Sequence, residues 1–289
     1  MEDLNLDLED IKIFQEVAWQ QSITKAAETL GYAQSSVTSR IRKLEAEFKI
    51  TLLYRSSKGV KITPAGKIFL DKGLQINRLI EELHYALSSD KSPMGLLRIG
   101  SMETTAAIHL TPLLKNYIDL YKDVDLSFQT GTTEYLVQQV LNCNLDLAFV
   151  ASPINLHEIV EIPVFEEELV IISKRVPYPQ SISEIIKKRT ILVFRHGCSY
   201  RTLLEKYLNE MKVGPLNRLE FGSLDTIITS VESGLGISLL PKSTVRNKLE
   251  TGSLTAYRLP NHLKNNTTLL IHRKDIFKTP AIQKFIDSL

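Results

Sequence analysis

The sequence predicts an α/β protein in three parts: a small helical module with a two-stranded wing, one long helix, and a larger domain of alternating strands and helices. Three observations predict it. Apolar residues recur at helical spacing up to Phe48, broken at Gly31. A second helical pattern runs from Pro64 to about Ser89 without a glycine-proline cluster. From residue 96 onward, short runs rich in β-branched residues alternate with helical stretches.

In the first part, Leu8, Ile11, Phe14, Val17 and Ala18 define an amphipathic helix over residues 8–20. Ser22 or Thr24 caps the next helix, in which the small Ala26 and Ala27 allow another helix to cross closely. Gly31 stops it, because glycine adopts the left-handed conformation at little cost. A third helix then spans Gln34 to Phe48, with Val37, Ile41, Leu44 and Phe48 as its apolar stripe. Two helices joined by a glycine turn form a helix-turn-helix pattern.

The face opposite the stripe carries Gln34, Ser35, Thr38, Ser39, Arg42 and Lys43. Gln and Arg can form paired hydrogen bonds with base edges, and Ser and Thr are short enough to approach a groove. Gln34, Ser35, Thr38, Ser39 and Arg42 are therefore expected to contact bases or the groove. Residues 52–63 read as a hairpin, with Leu52 and Leu53 as anchors and "SSKG" as the turn. Arg40, Lys43, Arg55, Lys58 and Lys61 are the expected phosphate contacts. The whole chain has 289 residues and a net charge of only +2, yet residues 24–67 hold nine basic against three acidic side chains. A local surplus of that kind is the footprint of phosphate binding. A charged, solvated helix face in an ordinary protein is the competing reading. Thr63 caps the following helix, with Pro64 at its first position.

Residues 8–67 resemble the winged helix-turn-helix of the LysR-type transcriptional regulators. The resemblance lies in "SITKAAETLGYAQSSVTSRIRKLEAEFKITLLYRSSKGVKITPAG", above all in "KAAETL", Gln34, "IRKLE", "LLYR" and "ITPAG". Two positions depart from the family pattern: Ser35 where proline is frequent, and Lys49 where glycine is usual. The resemblance implies double-stranded operator DNA as a partner, with RNA polymerase as a further one.

In the second part, Phe69, Ile76 and Leu83 are spaced by sevens, the seam expected of a coiled coil. A helix packed on its own module is the alternative, and Gly73 argues for some close packing. The family resemblance implies a dimerising linker helix, with a homodimer or homotetramer as the assembly. "SSDKSPMG" at 88–95 reads as a hinge. The expected domains are thus a DNA-binding domain over 1–63, a linker helix over 64–91 and a regulatory domain over 92–289.

In the third part, strands are expected at 96–101, 125–131, 145–151, 168–173, 190–196 and 254–260, with helices at 104–121, 133–142, 199–211 and 224–233. The alternation argues for a parallel sheet, and ligands of such sheets sit beyond the C-terminal strand ends. Ser101, Met102, Thr104, Thr105, Thr132, Ala151, His196, Gly197, Ser199, Tyr200, Gly222 and Ser223 stand at those ends. Hydroxyls and helix-starting N–H groups suit an anionic effector such as a carboxylate. Plain helix capping is the competing reading at each. The resemblance implies two α/β subdomains like those of periplasmic solute-binding proteins, 92–162 plus 265–289 and 163–264, with a small-molecule effector between them.

Other classes fare worse. The G-x-G of Gly234 and Gly236 lacks a third glycine and follows a helix, so it is no dinucleotide loop. The six histidines lack metal-ligand spacing, and no phosphate loop or nucleophile elbow occurs, so no catalytic residue, metal or cofactor is assigned. Cys198 before a helix start leaves a redox-responsive regulator as one alternative, with Cys143 as the other cysteine. A small-molecule binding protein without sequence-specific DNA recognition is another. The acidic start is unlike a secretory signal, no apolar run is long enough to span a membrane, and the cytoplasm is the expected compartment.

Overall fold

The computed structural model describes residues 6–56, 59–87, 92–151, 153–176, 181–187, 190–213 and 216–289. The chain forms two compact units, residues 1–90 with 142–144 and residues 91–141 with 145–289.

The first unit contains α1 (Leu8–Gln20), α2 (Ile23–Leu30), α3 (Gln34–Glu47), β1 (Leu53–Ser56), β2 (Gly59–Ile62) and α4 (Pro64–Leu87). Ser22 is the residue that caps α2, accepting from the Lys25 amide, and Gly31 closes it at φ +70°. Ile13, Phe14, Val17, Ala26, Ala27, Val37, Ile41 and Leu44 fill one core, with Leu52, Leu53 and Val60 from the hairpin. β1 and β2 pair antiparallel, Leu53 opposite Ile62. Thr63 caps α4 by accepting from the Gly66 amide at 2.9 Å.

Two expectations shift here. Phe48 ends the α3 stripe half-exposed rather than buried, with its ring edge-on to Phe69. Phe69 also meets Phe14 edge-on, with ring centroids 4.9 Å apart, so it belongs to the core of its own module and not to a seam. Gly73 lets α4 lie close to α1: a Cβ there would stand 2.7 Å from Ile11. The exposed large apolar residues of α4 are Ile68, Leu79, Leu83 and Leu87. They are separated by eleven, four and four residues and so share one face.

The second unit contains β3 (Gly95–Ser101), α5 (Glu103–Thr105), a π-helical turn (Ala106–Leu110), α6 (Thr111–Leu120), β4 (Val124–Thr130), α7 (Thr133–Leu141), β5 (Leu147–Ala151), β6 (Ile159–Lys174) and α8 (Ile182–Lys187). It continues with β7 (Thr190–Phe194), α9 (Ser199–Glu210), β8 (Arg218–Phe221), α10 (Leu224–Ser233), β9 (Gly236–Pro241), a 3₁₀ turn (Lys242–Val245), α11 (Arg246–Glu250), β10 (Leu254–Arg258), β11 (Asn265–Arg273) and α12 (Pro280–Asp287). The sheet order is β4-β3-β5-β11-β6-β9-β7-β8, with β10 also on β6.

The sheet is parallel only in its outer parts, β4-β3-β5 and β9-β7-β8. β6 and β11 run antiparallel to their neighbours through the middle. β6 pairs with β11 as far as Glu168 and with β9 from Leu169, so one strand serves both halves. Sequence reading found only the last residues of β6 because Pro163 and the Glu166-Glu167-Glu168 run break a strand pattern. The ladder absorbs the proline with a bulge in β6 itself: Thr268 and Leu269 pair with Phe165 and Pro163, which leaves Val164 without a register partner.

Candidate nucleic-acid interface and ligand cleft

On α3, burial of Val37, Ile41 and Leu44 turns the opposite face outward. Gln34, Ser35, Ser39, Arg42 and Lys43 are exposed and Thr38 is half-buried. The Thr38 hydroxyl donates to the Gln34 carbonyl at 2.8 Å, which leaves its oxygen able to accept from a further donor. Ala33 begins the helix without a side-chain cap, so Ser35 does not cap it either.

The basic residues divide into two groups. Arg40 Nη1 lies 2.7 Å from Asp10 Oδ1, and Lys43 Nζ lies 3.5 Å from Asp10 Oδ2. Asp10 is buried, so these pairs fasten α3 to α1. Arg55 Nη2 lies 2.9 Å from Glu45 Oε2, while the other Glu45 oxygen accepts from the Leu52 and Leu53 amides. Glu45 thereby ties the end of α3 to the root of the wing. Arg42 and Lys61 are exposed and make no ion pair among the described residues. Lys58 lies outside the described residues.

Lys49 explains the missing glycine. It adopts φ +51°, the left-handed conformation that the usual glycine would take freely. The turn into the wing keeps its shape and carries the strain.

In the second unit a cleft of about 500 Å³ opens beyond the C-terminal ends of β3, β4, β7 and β8. Of the expected residues it brings together Met102, Thr104, Thr132, His196, Tyr200 and Gly222. Gly197 and Ser199 line a neighbouring opening with Glu134 and Arg201. Four others do not line the cleft. Ser101 is buried and donates to the Met102 carbonyl. Thr105 is buried. The Ala151 amide donates to Thr133 Oγ1 at 3.4 Å. Ser223 is the N-cap position of α10, yet its side chain makes no capping bond. Thr132 does cap, accepting from the Tyr135 amide at 3.4 Å.

The cleft also holds Thr133, Arg195 and Cys198, which the sequence places just past strand ends, and Glu103, Thr130, Gly131, Tyr135, Phe194 and Phe221, which it did not single out. Most flank the same strand ends, and Phe194 and Phe221 are register partners on β7 and β8. The strand-end signal pointed to the right places but favoured hydroxyls over the aromatic walls. Tyr200 and Thr104 are buried hydroxyls 3.5 Å apart, one from each half of the sheet. Burial holds the Tyr200 phenol protonated, well above its ordinary range.

The cysteine expectation is corrected by burial. Cys198 starts α9, but desolvation pushes its thiol up and outweighs the backbone N–H groups that would favour a thiolate. His196, also at the cleft, is exposed, with Nδ1 3.7 Å from Glu134 Oε2.

The comparisons with known proteins agree with this architecture. Residues 8–67 match the model of the bacterial regulatory helix-turn-helix protein, lysR family, and residues 90–289 match that of the LysR substrate binding domain. The HTH-type transcriptional regulator GltR of Bacillus subtilis (strain 168) is 41% identical over 282 residues, 97% of this chain and 95% of that protein. A full-length OxyR variant from Pseudomonas aeruginosa shares the fold with a TM-score of 0.75 at 21% identity, over 98% of this chain and 94% of that one. Full-length CbnR in complex with its target DNA does so with a TM-score of 0.68 at 19% identity, over 98% of both chains. The chain belongs to the LysR family of helix-turn-helix transcriptional regulators. It is a DNA-binding regulator with an effector-binding domain, and this reading prevails over a binding protein without DNA recognition and over a redox regulator working through Cys198.

Proposed function

We propose that the exposed face of α3 reads operator bases and that the cleft binds a small effector through a carboxylate or other anionic group, and that this effector controls DNA binding. The carrying observation is the outward row of Gln34, Ser35, Ser39 and Arg42, with Thr38 beside it, opposite a fully buried stripe. Those five residues meet bases or the groove wall. Arg55, Lys58 and Lys61 meet phosphates from the wing, and the exposed sides of Arg40 and Lys43 add charge while their inner sides hold Asp10. CbnR, which shares this fold, was captured on its target DNA, which supports the same use of the module here.

The leucine face of α4 serves self-association, because three leucines on one helix face are left in water otherwise. A two-fold dimer presents its two recognition helices to half-sites about 34–36 Å apart, or multiples of that. The working domains are 1–63, 64–91 and 92–289, and in the last the effector shifts one half of the sheet against the other. The expected division at 162/163 falls inside the β6–β11 ladder, so we place the flexing point at Glu168/Leu169, where β6 changes partners. The regulator works in the cytoplasm. No helix among the described residues is long and apolar enough to cross a membrane. We assign it no catalytic role, and RNA polymerase is the further partner.

The test is a salt titration of DNA binding. Lys61→Ala weakens binding to every sequence alike and reduces the slope of log affinity against log salt by about one unit. An unchanged slope shows that Lys61 does not touch phosphate.

A further inference from the structure

Most charges around the cleft and the adjoining opening are already paired. His196 faces Glu134, and Arg201 holds both Glu205 and Glu220, at 3.2 and 2.7 Å. Two charged side chains that line the cleft are different. Glu103, at the start of α5, and Arg195, just past the end of β7, make no ion pair among the described residues. They come from opposite halves of the sheet. An unpaired carboxylate and an unpaired guanidinium in one concave, partly apolar site attract a ligand of both signs more than a ligand of one.

Arg195, though exposed, lies against Gly222. A Cβ on Gly222 would come within 3.0–3.2 Å of its Nη2, Nε and Cζ, so the guanidinium lies across the bare backbone of that glycine. Glycine at the end of β8 thus gives Arg195 a seat at the edge of the cleft. Glu103 has a plainer role as well, since an acid in the first turn complements the helix dipole. That role needs no lining position in a cleft, and Glu103 has one. Phe194 and Phe221 line the same cleft and suit the uncharged body of a ligand.

We infer that the effector is a zwitterion of the amino-acid class, with its carboxylate on Arg195, its ammonium on Glu103 and its side chain against Phe194 and Phe221. This rests on the reading of the cleft as the effector site. A simple carboxylate would leave Glu103 facing it as a like charge, which disfavours it.

The test is calorimetric titration of the full-length protein with L-amino acids of uncharged side chain. Each is compared with its deaminated acid and its decarboxylated amine. At least one amino acid should bind tenfold or more tightly than both of its truncated forms. Arg195→Ala then weakens the amino acid and the acid together, by roughly ten- to a hundredfold as expected for a lost charge-assisted hydrogen bond. Glu103→Gln removes the preference for the amino acid over the acid, and Glu103→Asp restores part of it. Circular dichroism checks that each variant is folded. Gly222→Ala should displace Arg195 and reproduce part of the Arg195→Ala loss. If the acids bind as tightly as the amino acids, or Glu103→Gln leaves the preference intact, the zwitterion assignment is wrong while the cleft stands as an effector site that takes a carboxylate. If neither amino acids nor acids bind, both readings fall.

Discussion

The recognition surface and the cleft are built in opposite ways. The surface is one face of one helix, with Gln34–Ser35, Thr38–Ser39 and Arg42 following one another turn by turn. Its support is equally local: Val37, Ile41 and Leu44 point inward for the same reason that Gln34, Ser39 and Arg42 point outward. The cleft gathers Thr104, Thr132, Arg195, Tyr200 and Gly222, which meet only because β3, β4, β7 and β8 end on the same side. A surface of the first kind survives as long as its helix is seated. A site of the second kind depends on the order of a whole sheet.

The sharpest way to break this comparison is to unseat α3. Phe14 is fully buried among the helices of the first unit. Phe14→Ala should cost about 3–5 kcal/mol and abolish DNA binding. Denaturant unfolding followed by probes in each unit should show the second unit's transition unmoved. A common shift of both transitions would show that the units do not unfold separately.

A smaller effect separates seating from reading. Asp10→Asn leaves Arg40 and Lys43 without their buried carboxylate, and stability of the first unit should fall by about 1–3 kcal/mol. The base preferences of the DNA bound should stay the same. A changed preference would mean that the Asp10 pairs tune recognition directly. Smallest is Lys49→Gly, which removes a left-handed lysine and should stabilise the unit by about 1 kcal/mol in chemical denaturation. No gain would show that contacts of Lys49 offset its backbone strain.

The same contrast explains what could be seen in advance. α1, α2, α3, the wing and the Thr63–Pro64 start of α4 follow from short-range rules of spacing, capping and turns, and they occupy nearly the expected residues. Phe69 misled because heptad spacing cannot tell which of two apolar surfaces a helix faces, and Phe14 claims that ring. In the second unit, strands with clean β patterns were legible. β11 was missed because "NNTTLLIHR" starts polar, and it is a strand through its two neighbours, β5 and β6. Half of the chosen cleft residues line the cleft, because a strand end tells where a ligand sits but not which way each side chain turns. Arg40 and Lys43 were read by charge alone, and only the fold shows that buried Asp10 faces them.

The most direct test of α3 as the reader is to sequence the fragments of source-genome DNA retained by the wild-type protein and by Gln34→Ala at physiological salt. The wild type should retain sites sharing a two-fold motif. The variant should lose discrimination at one base pair per half-site, a cost of about 1–3 kcal/mol, and keep the rest of the motif. Lower recovery with every position of the motif unchanged would contradict base reading by Gln34.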